Sequence, residues 1–321
     1  MSQVVLGIDY GGTKTAVAVC ERTGRRLAAT VVASLAERGA RVTFDQGVQT
    51  GRELLASAAP GASLAAVGVS TFGIPFDDRV ALAPTVDGWG DLPIGRELRA
   101  AFPGVPVRVA NDVKAAARAE ARWGALTGAD PAVYLNLGTG LAVAIVSAGQ
   151  VLTGANGAAG EIGYSLRSRA DVGLHTAARL EDMVSGMALR RRADEFGPRR
   201  TAAEIFAAAQ NDTTLDSLVT DFIDELAFHV ANLAILIDPA RIAAGGGMTG
   251  SWSRIEPRLA DVLARTVPYP PELVLGRFPY EAPLLGAIAL AVDAADSDRS
   301  NGHHSVNVVE STPSTERVTH S

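Results

Sequence analysis

With 321 residues, 47% of them hydrophobic, the chain has enough apolar material for two domains sharing a cleft. A formal net charge of −6, with 29 basic residues scattered or set beside acids, argues against a nucleic-acid surface, and the run Arg190 to Arg192 reads as a solvated helix face. One cysteine, Cys20, excludes an internal disulfide and a thiolate metal cluster; with no basic-then-apolar leader and no apolar run near the ~20 residues of a membrane span, a cytoplasmic protein is expected.

In chain order, residues 4 to 9, 15 to 20 and 27 to 33 are predicted as consecutive strands from their apolar and β-branched runs, with Thr23-Gly24 marking the second turn. The first strand ends on Asp9 and turns through Gly11, Gly12, Thr13 and Lys14 into the second. Glycines let the backbone approach an anion, and the hydroxyl and the ammonium add donors, so this hairpin reads as a phosphate-handling loop. Only two lysines occur, Lys14 and Lys114, and both sit inside motif segments. Residues 45 to 58 are predicted helical. Leu64 to Ser70 is a buried strand ending at Thr71-Phe72-Gly73-Ile74-Pro75, and Val105 to Val109 is another ending at Asn111-Asp112. Ligands of open α/β sheets gather at the carboxyl ends of strands, so both endings face the candidate site. Asp112 precedes an Ala-rich segment, where an aspartate can cap a helix or serve as a base.

The order then repeats. Ala132 to Leu137, Leu141 to Ser147 and Gln150 to Leu152 form a second strand-turn-strand unit around Gly138, Thr139 and Gly140, which points to an internal duplication. Leu215, Leu218, Phe222, Leu226, Val230, Leu233 and Ile237 recur at helical spacing until Asp238-Pro239 stops them. A strand, Arg241 to Ala244, runs into Gly245, Gly246 and Gly247 and a helix at Ile255 to Arg265. A last Ala-rich helix starts at Pro283-Leu284-Leu285-Gly286 and ends near Ala295. Residues 296–321 have no period and few large apolar side chains, so a disordered tail is expected, with His303 and His304 of no special role.

Eight segments in this order resemble the ROK (repressor, open reading frame, kinase) family of sugar kinases: GIDYGGTKTAVAV, APTVDGWGDLPIGREL, VANDVKAAARAE, LNLGTGLAVAIV, GANGAAGEIGYSL, LEDMVSG, AAGGGMTG and LLGAIALA. The resemblance implies an α/β actin/hexokinase-like (ribonuclease H-like) two-domain ATPase fold with duplicated βββαβαβα units. It places a small domain at 1–113, regaining the final helix 284–295, and a large domain at 114–283. It implies an ATP-dependent carbohydrate kinase acting on a small sugar or sugar-like polyol, with no nucleic-acid or membrane partner, working as a homodimer. In that reading Asp112 accepts the proton of the sugar hydroxyl. Asn111, Glu161, Tyr164, Glu181 and Gly73 surround the sugar. Asp9, Gly11, Gly12, Thr13, Lys14, Gly138, Thr139 and Gly140 serve the ATP phosphates, Gly245, Gly246 and Gly247 lie under adenosine, and Asp9 partners Mg²⁺ through water. Phosphoryl transfer needs a hydroxyl in line, a base, donors for the spreading charge and a metal, and these residue types meet that need.

The chain also departs from the family pattern. Tyr164 stands where the family has a zinc-binding histidine, and Arg179, Leu174 and Val172 hold the cysteine positions, so no structural zinc is expected. His175 lies in this remodelled loop, and Thr85 and Lys114 replace common asparagines. The changes cluster on the sugar side, so ATP use is better supported than glucose use. Transfer to the 6-hydroxyl of a hexose such as glucose leads, with an amino sugar (kanosamine-like) or a C7 cyclitol of bacterial secondary metabolism as the alternative. A non-catalytic sugar sensor is the reading of another class; Asp112 counts against it, and no helix-turn-helix fits ahead of the strand at Val4.

Overall fold

The computed structural model describes residues 2–174 and 179–300. Strands β1 (Gln3–Tyr10), β2 (Lys14–Glu21) and β3 (Arg26–Ala33) form an antiparallel meander. Helix α1 (Ala40–Ala58) leads to β4 (Ser63–Thr71), parallel to β1. A short ribbon, β5 (Ile74–Pro75) and β6 (Val80–Ala81), and α2 (Ile94–Ala101) precede β7 (Val107–Asn111), which gives the sheet the order β3-β2-β1-β4-β7. The near-continuous apolar run of β1 fits its central place, covered on both faces, while β3 alternates as an edge strand should.

After α3 (Asp112–Trp123) the pattern recurs with β8 (Ala132–Leu137), β9 (Leu141–Ser147) and β10 (Gln150–Val151). Helices α4 (Gly186–Ala193), α5 (Ala202–Ala208) and α6 (Thr213–Ile237) lead to β11 (Arg241–Gly245), α7 (Trp252–Thr266), β12 (Glu272–Leu275) and α8 (Ala282–Ser300). The second sheet runs β10-β9-β8-β11-β12, with the same antiparallel-then-parallel sequence of pairings as the first. Two matching sheets in one chain are what the duplicated sequence pattern calls for.

Between the sheets lie α8, whose Leu284, Ile288 and Val292 pack on Val5, Ala18 and Ala66, and α3, whose Val113 and Ala117 pack on Tyr134 and Ala144. The two helices pack on each other. Glycines bring the backbones close: a Cβ on Gly68 would overlap the Ala287 carbonyl, and one on Gly286 the Ala115 carbonyl. Glu120 of α3, fully buried, ties this helix to the segments that precede β8 and follow β12. Its Oε2 accepts from the Ala125 and Arg277 amides at 2.7 and 3.1 Å, and its Oε1 from the Phe278 amide at 2.8 Å.

Several boundaries move. α1 starts at Ala40 rather than residue 45, and α8 runs to Ser300, so residues 296 to 300 are helical rather than tail. The rest of that tail, His303 and His304 included, lies outside the described residues. The short α2, α5 and β12 have no counterpart in the sequence reading, whereas Arg190 to Arg192, read as a helix face, lie in the last turn of α4.

Candidate active site

Strand register builds one rim of the site. Asp9 pairs with Ser70 and Tyr10 with Thr71 between β1 and β4, and Thr71 with Asn111 between β4 and β7. Asp9, Ser70 and Asn111-Asp112 therefore stand together at the carboxyl ends of parallel strands. Trp89 supports this rim from below: it is fully buried, packs on Tyr10 and Phe72, and donates Nε1 to Thr71 Oγ1 at 3.0 Å.

Asp9 and Asp112 are partly solvent-exposed yet surrounded by protein. Burial pushes Asp9 up to about 7, against the pull of Ser70 and Lys14 and with the help of Asp112. Ser70 Oγ is not in hydrogen-bond geometry with any partner among the described residues, so it acts on Asp9 as a nearby dipole. Burial also pushes Asp112 up to about 6; the Val113 amide and Lys114 oppose this, and Glu161 adds to it. A carboxyl titrating near neutrality suits a base.

The expected cap is corrected. Asn111, not Asp112, caps α3: its Oδ1 accepts from the Lys114 amide at 2.8 Å, and its Nδ2 donates to Glu161 Oε1 at 3.2 Å. Asp112 takes the first helical position, where its Oδ1 accepts from the Val113 amide at 2.9 Å. Glu161 is raised by burial, lowered by Lys114, raised by Glu181 and lowered by Asn111. Glu181 Oε2 accepts from the Leu141 amide at 2.9 Å, which ties this carboxylate to the second glycine turn. An unbroken run of interacting groups thus extends from Lys14 through Asp9, Asp112, Glu161 and Glu181 to Leu141, joining the two hairpins.

The glycines of the loops divide by role. The Gly11 amide donates to Lys14 O at 2.9 Å and the Gly138 amide to Gly140 O at 3.1 Å, so both are used to close their own turns. Candidate anion donors are then Gly12, Thr13, Lys14, Thr139 and Gly140. A Cβ on Gly12 would meet Thr85 Cγ2 at 2.5 Å, which places Thr85 against the first hairpin. Of the triple glycine, Gly245 makes room for the Tyr134 hydroxyl, Gly246 adopts φ 95°, and Gly247 alone faces open space. Gly73, expected beside the sugar, has φ 76°, and a Cβ there would crowd Ala83, the Ala81 carbonyl and Val80.

A family model described as the ROK family matches residues 5–294. The chain belongs to the ROK family. It is 30% identical over 304 residues to the bifunctional enzyme NanE/NanK of Brucella melitensis, covering 90% of this chain and 54% of the relative. The chain thus spans about half the length of that relative. Among solved structures, the ROK hexokinase from Thermus thermophilus superposes with a TM-score of 0.77 at 29% identity, covering 92% of this chain and 99% of the other. A ROK family glucokinase from Streptomyces griseus, in complex with glucose and AMPPNP, superposes with a TM-score of 0.73 at 28% identity, covering 90% and 99%. These matches fix the fold as that of the ROK sugar kinases, and its two similar sheets agree with the actin-like pattern.

Where ROK proteins usually carry histidine and cysteine, this member brings Tyr164 and Arg179 together. The Arg179 guanidinium stacks on the Tyr164 ring, 4.4 Å from its centroid, and the Leu180 amide donates to Ser165 O at 3.3 Å. Arg179 was not anticipated as a partner; a cation in the segment facing an aromatic is the signal that could have found it. Tyr164 is 41% exposed, and one face of its ring is taken by Arg179. His175 lies outside the described residues. A separate cavity of about 670 Å³ behind α3, lined in part by Arg108, Arg118, Arg122 and Asp293, does not touch these groups.

Proposed function

We propose that this protein is an ATP-dependent sugar kinase that moves the γ-phosphoryl group to a hydroxyl of a hexose such as glucose, at the position equivalent to carbon 6. The observation that carries this reading is the run of groups from Lys14 to Leu141, which links two glycine hairpins through a carboxylate poised to take a proton. Asp112 accepts the hydroxyl proton as the oxygen attacks. Asn111 holds Glu161 Oε1, so that Oε2 is presented to ring hydroxyls; Glu181, held through Oε2 by Leu141, presents Oε1. The amides of Gly12, Thr13, Thr139 and Gly140, with Lys14, receive the phosphate charge. Gly247 leaves the open backbone on which a nucleoside can lie.

Asp9 fits a magnesium ion. It is a hard oxygen donor, held up at about 7 by burial, and an added cation would relieve its charge. Bound through water there, Mg²⁺ would neutralise phosphate oxygens.

The test is ADP release from MgATP by purified protein against hexoses, amino sugars, N-acetylated sugars and C7 cyclitols, with phosphorus NMR of the product. Turnover on glucose yielding the 6-phosphate supports the reading. Turnover confined to an amino sugar or cyclitol moves the substrate, and silence on every sugar promotes the sensor.

A further inference from the structure

Lys114 is buried to 6% exposure, and its Nζ has no hydrogen-bond partner among the described residues. An ammonium removed from water without hydrogen bonds is strongly disfavoured, and an apolar side chain would fill the same space at no such cost. Its nearest opposite charge is Glu161 Oε1, 3.9 Å away. That oxygen also receives the Asn111 amide at 3.2 Å, so a hydrogen bond from the cap of α3 and a charge from its first turn face the same atom.

The charges around Glu161 explain why a cation is kept there. Asp112 and Lys114 face it from α3, and Glu181 faces it from the turn at 180–182. Burial, and after it the Glu181 carboxylate, press Glu161 toward its neutral form, and a protonated Glu161 would present a donor where a sugar hydroxyl needs an acceptor.

We propose that Lys114 is a positioning residue that sets sugar affinity, its charge keeping the Glu161 carboxylate ionised with Oε2 turned to the substrate. This rests on the sugar-kinase reading. Burial lowers the proton affinity of Lys114 itself, and Glu161 and Asp112 counter that, so the cation and its carboxylates support one another.

Sugar-dependent ADP release by the wild-type protein is measured first; its absence defeats the kinase reading and this inference with it. Where it is present, Lys114→Met is compared with wild type between about pH 6 and pH 9. The sugar KM of the variant rises about tenfold near neutral pH and recovers as pH rises, because Glu161 then ionises unaided. The ATP KM stays unchanged, and the Tm does not fall. A sugar KM within about twofold of wild type, a defect that ignores pH, or an equal rise in ATP KM overturns the proposal. In a Glu161→Gln background, adding Lys114→Met produces no further rise in sugar KM; an independent, multiplicative effect overturns it too. Lys114→Gln takes the place of the methionine variant if the latter does not fold.

Discussion

Two aspartates that ionise late give the cleft its pH behaviour. As pH falls through about 6, Asp112 takes a proton and can no longer accept one, so kcat/KM is expected to drop about tenfold per pH unit on that limb. Above about pH 6 Asp112→Asn should lower kcat by roughly 10²–10⁴, a gap that narrows at lower pH where wild-type Asp112 is itself protonated, while leaving ATP binding in place, as a nucleotide titration would show. The same shifts bear on stability. Asp9 and Asp112 bind protons more readily folded than unfolded, so their contribution is full below 3.8 and is lost as pH rises through about 6 and 7. Asp9→Asn is therefore expected to raise the Tm at about pH 8 without Mg²⁺ and to leave it unchanged below about pH 4, as calorimetry at the two pH values would reveal. These carboxylates were legible in the sequence because each ends a predicted strand. The assignment of the helix cap to Asn111 was not, since adjacent Asn and Asp have equal claim to it and only the backbone turn decides. Nor was the reason for Gly245, which answers to a tyrosine hydroxyl more than a hundred residues away in sequence.

At the level of elements, long periodic or continuous apolar segments were readable: β8 and β9 fall where expected, and α6 ends at Asp238, which adopts φ 51°. The helices α2, α4 and α5 span eight, eight and seven residues, too short for a period to stand out, although the side chains of Ser185 and Thr201 cap α4 and α5. The packing of α8 was also illegible, because a glycine at a helix crossing looks like any other glycine. Gly286→Ala should test it: the new methyl overlaps the Ala115 carbonyl, a backbone atom that cannot rotate away. We expect a loss at or above the upper end of ~1–3 kcal/mol, read by urea denaturation. The contact between the turns at 162–164 and 180–182 is milder. Arg179→Ala should cost about 0.5–1 kcal/mol and raise the sugar KM, and elemental analysis of wild-type protein should find no stoichiometric zinc.

For the molecule as a whole, one buried carboxylate of α3, Glu120, bonds segments on either side of the second sheet in sequence. Glu120→Gln replaces one acceptor oxygen with an amide that faces a backbone N–H, so about 1.5–3 kcal/mol should be lost without any group at the cleft being touched. Unfolding curves by fluorescence and by far-UV dichroism would show the loss. The first sheet has a related dependence on the far end of the chain: Val5, Ala18 and Ala66 are covered by Leu284, Ile288 and Val292 of α8. During synthesis this coverage has to wait. At ~5–20 residues per second, some 10–45 s pass between the completion of β4 and the arrival of α8, roughly. For that interval an apolar sheet face is bare on the ribosome, so the nascent chain, rather than the finished protein, is where this fold is most exposed to chaperones and to aggregation.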